Sequence, residues 1–226
     1  MKTTVGDVMT TEVRSASPAT PFRAIAATLT TLHVSALPVV DVEGVVVGVV
    51  SEADLMLKEL YGTHPSRADA WLPEREMSKV DAAIAADLMS SPAITIRAGA
   101  SLTEAAKLMH DRQVKRLPVV DGEGHLVGIV TRGDLLSVFL RPDAEIRRQV
   151  IDEVVVRTLW MDPATFTVTV AGGVVTLVGR VDRRSDIAVL VGLIRGVDGV
   201  VSVHSELDFK YDDTTPMAAG PFRAIL

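Results

Sequence analysis

The chain has 226 residues, of which 48% are hydrophobic, 23% are charged and 4% are aromatic. This composition predicts a folded protein with an aliphatic core, long enough for two domains of ordinary size, and it argues against a disordered chain. The net charge of −6 argues against general nucleic-acid binding, which needs a basic face, and the absence of cysteine excludes disulfides and thiolate catalysis.

The start of the chain has no feature of an export signal. Residues 1–7 contain neither an apolar run nor a small-residue cleavage site. The most apolar stretch, at 45–50, is far shorter than the roughly 20 residues that a membrane-spanning helix needs. We therefore expect a cytoplasmic protein.

The first elements along the chain are a helix and two strands. Thr20 is predicted to cap the helix, with Pro21 at the first helical position. β-branched and apolar runs at 37–40 and 45–50, separated by a turn, predict two strands. Ser51 is predicted to cap a second helix.

These elements then occur a second time. Three sequence blocks return after a constant shift of 80 residues, as Asp7 and Asp87 show (87 − 7 = 80). A constant offset indicates a structural repeat, and we expect the two units to pack together because neither can bury its sheet alone. The matching blocks are Asp-Val-Met-Thr at 7–10 with Asp-Leu-Met-Ser at 87–90, Leu-Pro-Val-Val-Asp at 37–41 and 117–121, and Gly-x-x-Ser/Thr-x-x-Asp at 48–54 and 128–134.

The predicted fold class is α/β, of the α+β type. Two β-α-β-β-α repeats, at 1–60 and 85–140, are joined by a linker at 61–84 and form a pseudo-twofold pair. A different pattern follows, which predicts an α-β-β-α-β domain at 143–209 and a flexible tail at 210–226. The elements of this domain are predicted to be a helix at 143–159, strands at 166–170 and 174–181, a Ser185-capped helix to Arg195, and a strand at 200–207.

Each repeat carries a Ser/Thr-x-x-Asp pair where a strand meets a helix. A helix amino terminus presents free N–H groups and the positive end of the helix dipole, which favours phosphate. The hydroxyls of Ser51 and Thr131 and the carboxylates of Asp54 and Asp134 suit a ribose, and the glycine three residues before each hydroxyl would admit a ligand. The same spacing also defines a capping box, in which the acid bonds back to the cap residue. The pattern leaves both interpretations open.

The repeated motifs resemble the CBS domain, named after cystathionine β-synthase, over about residues 1–140. The resemblance implies a tandem pair that binds AMP, ADP, ATP or S-adenosylmethionine in two clefts. It also implies a homodimeric regulatory protein. The sequence has no Cys nucleophile, metal-ligand cluster, GxSxG motif or P-loop, so we expect a protein that is not an enzyme and requires no cofactor or metal. Asp54 and Asp134 would hold ribose hydroxyls, with Ser51 and Thr131 near ribose or phosphate. The resemblance further places the first strand of each repeat beside the opposite cleft: Thr95, Ile96 and Arg97 with Asp54, and Arg14, Ser15 and Ala16 with Asp134.

The two copies differ in charge near the expected clefts. Lys115, Arg116 and Arg132 are cationic, whereas the residues 80 positions earlier are Ser, Ala and Glu. Charge-assisted hydrogen bonds strengthen phosphate binding. We hypothesise that the clefts are not equivalent and that one binds nucleotide more tightly; the alternative is that these side chains are solvated surface groups.

The strand motifs at 173–181 and 197–203 resemble the BON domain, over about residues 143–209. This resemblance implies contact with phospholipid or with a protein partner. The basic side chains that would contact anionic headgroups are Arg180, Arg183, Arg184 and Arg195. The alternative is that these four side chains are solvated surface groups.

The sequence as a whole predicts a regulatory protein that senses an adenosine-containing ligand and transmits the signal through its dimer or the BON-like domain. The alternative is a structural or membrane-adaptor protein with empty clefts, in which the carboxyl-terminal domain makes the functional contact.

Overall fold

The computed structural model describes residues 3–61 and 79–214. The chain forms two compact units, Thr3–Leu135 and a second that begins at Leu136. Both contain helices and strands, which confirms the predicted mixed class. The predicted linker and tail lie largely outside the described residues.

The first unit contains the same arrangement twice, as the repeat predicts. Each copy begins with a one-turn helix and continues through a longer helix and two antiparallel strands to a final helix. The first copy has α1 (Val5–Val8), α2 (Phe22–Leu32), β1 (Ala36–Val40), β2 (Val46–Ser51) and α3 (Glu52–Tyr61). The second has α4 (Ala85–Leu88), β3 (Ile96–Arg97), α5 (Leu102–Asp111), β4 (Arg116–Val120), β5 (Leu126–Thr131) and α6 (Arg132–Leu136).

The first strand of each repeat joins the sheet of its own repeat. β3 runs parallel to β4, which pairs with β5 on its other side. In the first repeat this strand is reduced to a single parallel bridge between Ala16 and Val39 of β1. The first strand of each repeat therefore belongs to the sheet of its own repeat.

The two repeats exchange the segments that precede those strands. Thr10 pairs with Ile129 on the outer edge of β5, with N–H to carbonyl distances of 2.9 Å in both directions. Ser90 pairs in the same way with Val49 of β2, at 2.9 and 3.1 Å. Because these positions are 80 residues apart, the exchange is reciprocal, and each repeat covers a strand edge of the other.

Glycines at the crossing points make this exchange possible. A Cβ at Gly48 would lie 2.4 Å from Sδ of Met89, and one at Gly128 would lie 2.5 Å from Sδ of Met9. The space beside each glycine is therefore filled by a methionine of the opposite repeat. The expectation that these glycines let the strand pass close to a ligand stays a prediction.

Each hydrophobic core also contains residues of the exchanged segments. Ala85 and Leu88 of α4 are fully buried among residues of the first repeat, such as Ile25. Val5 of α1 is fully buried among residues of the second, such as Leu117. Neither core is complete without the other repeat.

The second unit is a three-stranded sheet with two helical segments. Its strands lie in the order β6 (Phe166–Ala171), β7 (Val174–Arg183) and β8 (Ser202–Tyr211). β6 and β7 are antiparallel, and β7 and β8 are parallel. The β6–β7 turn has positive φ at Gly172 and Gly173 (57° and 75°), a conformation that glycine adopts at no steric cost. After a 3₁₀ turn (Ser137–Leu140), the elements are α7 (Asp143–Gln149), a π-helix (Val150–Thr158), β6 (Phe166–Ala171), β7 (Val174–Arg183), α8 (Arg184–Arg195) and β8 (Ser202–Tyr211).

The predicted helix at 143–159 is helical, but its second half is a π-helix and not an α-helix. The hydroxyl of Thr158 donates to the carbonyl of Glu153, five residues earlier, at 2.7 Å. Val150, Val154 and Val155 are buried in the core of the unit. The apolar pattern predicts the buried face but does not distinguish the two helix types.

Two predicted helix caps are wrong. Pro21 is the cap residue of α2, and the Thr20 hydroxyl instead accepts a hydrogen bond from the N–H of Ser17 at 2.9 Å. Ser185 lies inside the first turn of α8, where its N–H and hydroxyl donate to Asp213 at 3.0 and 2.6 Å. In both cases the hydroxyl forms a hydrogen bond with a residue outside the helix.

We predict that Gly179→Ala lowers the free energy of unfolding by about 2 kcal/mol or more, through backbone strain and overpacking. Gly179 has φ of 142°, and an added Cβ would lie 2.6 Å from Cα of Phe166. Chemical denaturation followed by circular dichroism measures the change.

Gly192→Ala is the matched control. Gly192 lies on α8 with no atom within 4 Å of an added Cβ, so this change should stabilise by roughly 0.5–1 kcal/mol through helix propensity. Equal effects of the two alanines would contradict the strained geometry at Gly179.

Candidate ligand-binding clefts

Both Ser/Thr-x-x-Asp pairs adopt the same local geometry. Oδ2 of Asp54 accepts hydrogen bonds from the N–H of Ser51 at 2.8 Å and from its hydroxyl at 2.6 Å. Oδ2 of Asp134 accepts from the N–H and the hydroxyl of Thr131, both at 2.7 Å. The capping arrangement is therefore present in both copies. It uses one oxygen of each carboxylate, so capping and ligand binding do not exclude each other.

At Asp54 the second carboxylate oxygen, Oδ1, accepts a hydrogen bond from the ammonium of Lys79. The two form an ion pair, and their side chains are only 7% (Lys79) and 13% (Asp54) exposed. The same ammonium lies 3.3 Å from the hydroxyl of Ser90. Sequence reasoning missed Lys79, because it belongs to no repeated motif and lies in the predicted linker.

Ser90 is the residue of the second repeat that the structure places at this site. It arrives there through the pairing of its backbone with Val49, two residues before Ser51. The first strand of the second repeat lies in the sheet of its own repeat, with Ile96 and Arg97 paired to β4, and its expected contact with a ligand at Asp54 stays a prediction. The segment that crosses over is the one just before this strand.

The remaining first-strand residues divide into buried and exposed ones. Ala16 and Ile96 pack in the cores of their own repeats, at 5% and 7% exposure, so their side chains are not available to a ligand. Arg14 and Ser15 are exposed, and Thr95 is half-buried. Exposed Arg97 donates to the carbonyl of Gly122 at 3.3 Å.

Of the three cations expected near the clefts, Arg116 reaches the first repeat. Its guanidinium donates to the hydroxyl of Ser35 at 2.5 Å, and the carbonyl of Ser35 accepts from the N–H of Glu52 at the start of α3. Burial lowers the pKa of Arg116, and the carboxylate of Glu52 acts in the opposite direction. Arg116 therefore lies close to the residues that follow Ser51.

Lys115 and Arg132 stay within the second repeat. Lys115 is exposed, and its carbonyl accepts from the N–H of Arg132 at 3.2 Å. Arg132 donates from its side chain to the carbonyl of Val114 at 3.1 Å. Within residues 3–61 and 79–214, no group of three acidic or histidine side chains is arranged to hold a metal ion.

Family models identify both parts of the chain. A model of the CBS domain matches residues 5–60 and 85–141, and a model of the BON domain matches residues 142–211. The chain belongs to the CBS-domain family and carries a carboxyl-terminal BON domain. The two repeats are thus a CBS pair.

Relatives of known sequence share the CBS pair. The CBS domain-containing protein CBSX2 of Arabidopsis thaliana is 33% identical over 152 residues, which are 61% of this chain and 64% of CBSX2. A protein of Methanopyrus kandleri is 33% identical over 135 residues, which are 59% of this chain and 61% of that protein. The chain thus spans about three-fifths of the length of these relatives.

Solved structures and enzymes give two further comparisons. The crystal structure of CBSX2 in complex with AMP aligns with a TM-score of 0.54 at 33% identity, over 61% of this chain and 96% of that one. An inosine-5′-monophosphate dehydrogenase of Thermoplasma acidophilum is 29% identical over 133 residues, but these are only 23% of the enzyme. The similarity to a catalytic protein is therefore confined to a small part of it.

In the BON domain, two of the arginines expected to meet lipid have carboxylate partners. Arg180 pairs with Asp208 at 2.6 Å and Arg184 with Asp212 at 2.7 Å. The guanidinium of Arg184 also lies 5.5 Å from the ring centre of Phe209. The parallel register of β7 and β8, which sets Arg180 opposite Asp208, produces the first pair. Among the described residues, no helix is both long enough and apolar enough to cross a bilayer.

We predict that the BON domain loses stability as the pH falls below about 4, the ordinary aspartate range. The hydrogen bond from Arg180 lowers the pKa of Asp208, and that from Lys210 lowers the pKa of Asp182. Since these carboxyls bind protons more weakly in the folded state, their stabilisation is present above the unfolded pKa and is lost as the pH falls through the folded one.

Acid unfolding of Asp208→Asn against wild type measures this effect. The variant should show a weaker pH dependence below about pH 4, with Glu206→Gln on the same strand as the control. Because the pair is exposed, added salt should reduce the difference. Identical acid profiles for wild type and Asp208→Asn would contradict the assignment.

Proposed function

We propose that the CBS pair is a regulatory module that binds an adenosine-containing ligand, with AMP as the first candidate and ADP, ATP and S-adenosylmethionine as the others. The observation that carries the proposal is the Ser/Thr-x-x-Asp geometry, built twice at equivalent strand–helix junctions. The likeness to CBSX2, whose crystal structure holds AMP, supports it.

The roles we assign follow from the donors and acceptors at each junction. Asp54 and Asp134 would accept ribose hydroxyls, since an ionised carboxylate only accepts hydrogen bonds and each cap uses a single oxygen. At Asp54 the ammonium of Lys79 bonds to the other oxygen. Ser51 and Thr131 would lie near the ribose or the phosphate, with their hydroxyls still donating to Asp54 and Asp134. Arg116, held beside the first cleft by Ser35, would donate to phosphate. Lys115 and Arg132 are the further cations available to the second cleft.

A cleft shared by the two repeats favours a regulatory role. A ligand bound in a cleft that uses both repeats would stabilise their paired arrangement, and a ligand regulates only by binding one arrangement better than another.

Met56 and Leu60 on α3 are 52% and 61% exposed, and such an apolar helix face favours the proposed homodimer. We propose that the signal leaves through this dimer or through the BON domain.

We predict that AMP at about 100 times its dissociation constant stabilises the full chain by roughly 2.7 kcal/mol. Thermal denaturation with AMP, ADP, ATP, S-adenosylmethionine and GTP tests this. Asp54→Asn and Asp134→Asn keep one acceptor oxygen for the cap but lose the charge, so each should abolish binding in its own cleft. Asp111→Asn, an exposed carboxylate on α5, is the control.

A lack of stabilisation by every adenosine ligand would contradict the proposal. Co-sedimentation with anionic liposomes, unaffected by nucleotide, would then support a membrane-adaptor role for the BON domain. GTP binding equal to that of ATP would retain a nucleotide site but contradict the selectivity for adenine.

A further inference from the structure

We propose that Lys79 sets the ligand selectivity of the Asp54 cleft. Its ammonium competes with ribose hydroxyls for Asp54, so the cleft excludes neutral adenosine and admits a nucleotide whose phosphate receives the displaced ammonium. This inference rests on the proposed function, because it concerns the same cleft. It adds the class of ligand that the cleft accepts.

The hydrogen-bonding capacity of Asp54 is the first argument. Oδ2 already accepts two bonds from Ser51, and Oδ1 accepts from Lys79. A carboxylate offers about four acceptor positions, so about one is left, whereas a ribose diol brings two hydroxyls. Both hydroxyls can bind only if Lys79 leaves Oδ1.

Burial is the second argument. Lys79 is 6% exposed, and among the described residues it is the one charged residue that is buried. A buried charge is stable only when it is paired, so the ammonium cannot leave Asp54 without another anion or water. Neutral adenosine supplies no anion. A nucleotide phosphate supplies a doubly charged acceptor for a charge-assisted bond.

The backbone around Lys79 keeps its ammonium near the cleft. The carbonyl of Lys79 accepts from the N–H of Ala82 at 3.2 Å, and Ala82 is buried in the core of the first repeat. The N–H of Ala85 in turn donates to the carbonyl of Thr20 at 2.9 Å. With this anchor, the displaced side chain swings away from Asp54 but stays within the same site, where a phosphate can meet it.

The first experiment needs no ligand. Lysines of the full chain are acetylated with a limiting amine-reactive reagent, and modification is followed by mass spectrometry. Lys79 should react at least about tenfold more slowly than Lys107, an exposed lysine on α5, because the ammonium of Lys79 is buried and ion-paired. Equal rates would overturn the proposal at once.

The second experiment measures adenosine and AMP binding by calorimetry in the Asp134→Asn background, which leaves the Asp54 cleft. Lys79→Met should tighten adenosine binding by about tenfold or more, the value of one charge-assisted hydrogen bond. It should also lower the ratio of AMP to adenosine affinity, because the phosphate loses its cation. Lys107→Met, at an exposed lysine on α5, should change neither. Lys79→Gln, which keeps a donor without the charge, serves if the methionine variant unfolds.

The outcomes separate the two proposals. If wild type binds AMP through Asp134 but the Lys79 variants change neither adenosine affinity nor the ratio, the selectivity proposal is wrong and the proposed function stands. If neither adenosine nor AMP binds to any variant, both are wrong. Weaker adenosine binding by Lys79→Met would also overturn the inference, since it would make Lys79 a direct ligand contact.

Discussion

Reciprocal backbone pairing between the two repeats is the constraint on which the rest of the CBS pair depends. The pairs Thr10–Ile129 and Ser90–Val49 supply hydrogen bonds to the strand edges that each repeat leaves open. They also carry Val5 and Leu88 into the core of the opposite repeat. Because an open strand edge and an incomplete core both destabilise a small unit, each repeat needs the other in order to fold.

The exchange also brings different side chains to equivalent local motifs. Lys79 and Ser90, on either side of α4, both lie beside Asp54. The capping bonds at Asp54 and Asp134 are nearly identical, so the local motif does not decide what the cleft holds. The two motifs differ instead in their surroundings, since Asp54 has the ammonium of Lys79 as a further partner.

Three basic side chains of the BON domain form ion pairs with carboxylates of the same domain. Arg180, Arg184 and Lys210 each bond a carboxylate of the same domain, and β7 and β8 supply the first and last of these pairs. Exposed ion pairs add little stability, but they neutralise basic groups that would otherwise attract an anionic surface. These three side chains are therefore less able to attract an anionic surface than unpaired basic groups would be.

The sequence by itself determined the repeat, the order of most elements and the Ser/Thr-x-x-Asp caps, because these depend on periodicity or on bonds between residues three positions apart. It misassigned the caps at Thr20 and Ser185, whose hydroxyls take partners outside their helices. Only the tertiary structure decided which segments cross between the repeats and that Lys79 reaches Asp54. Those two residues are 25 positions apart and share no motif, so their ion pair exists only where packing of the two repeats buries both charges together.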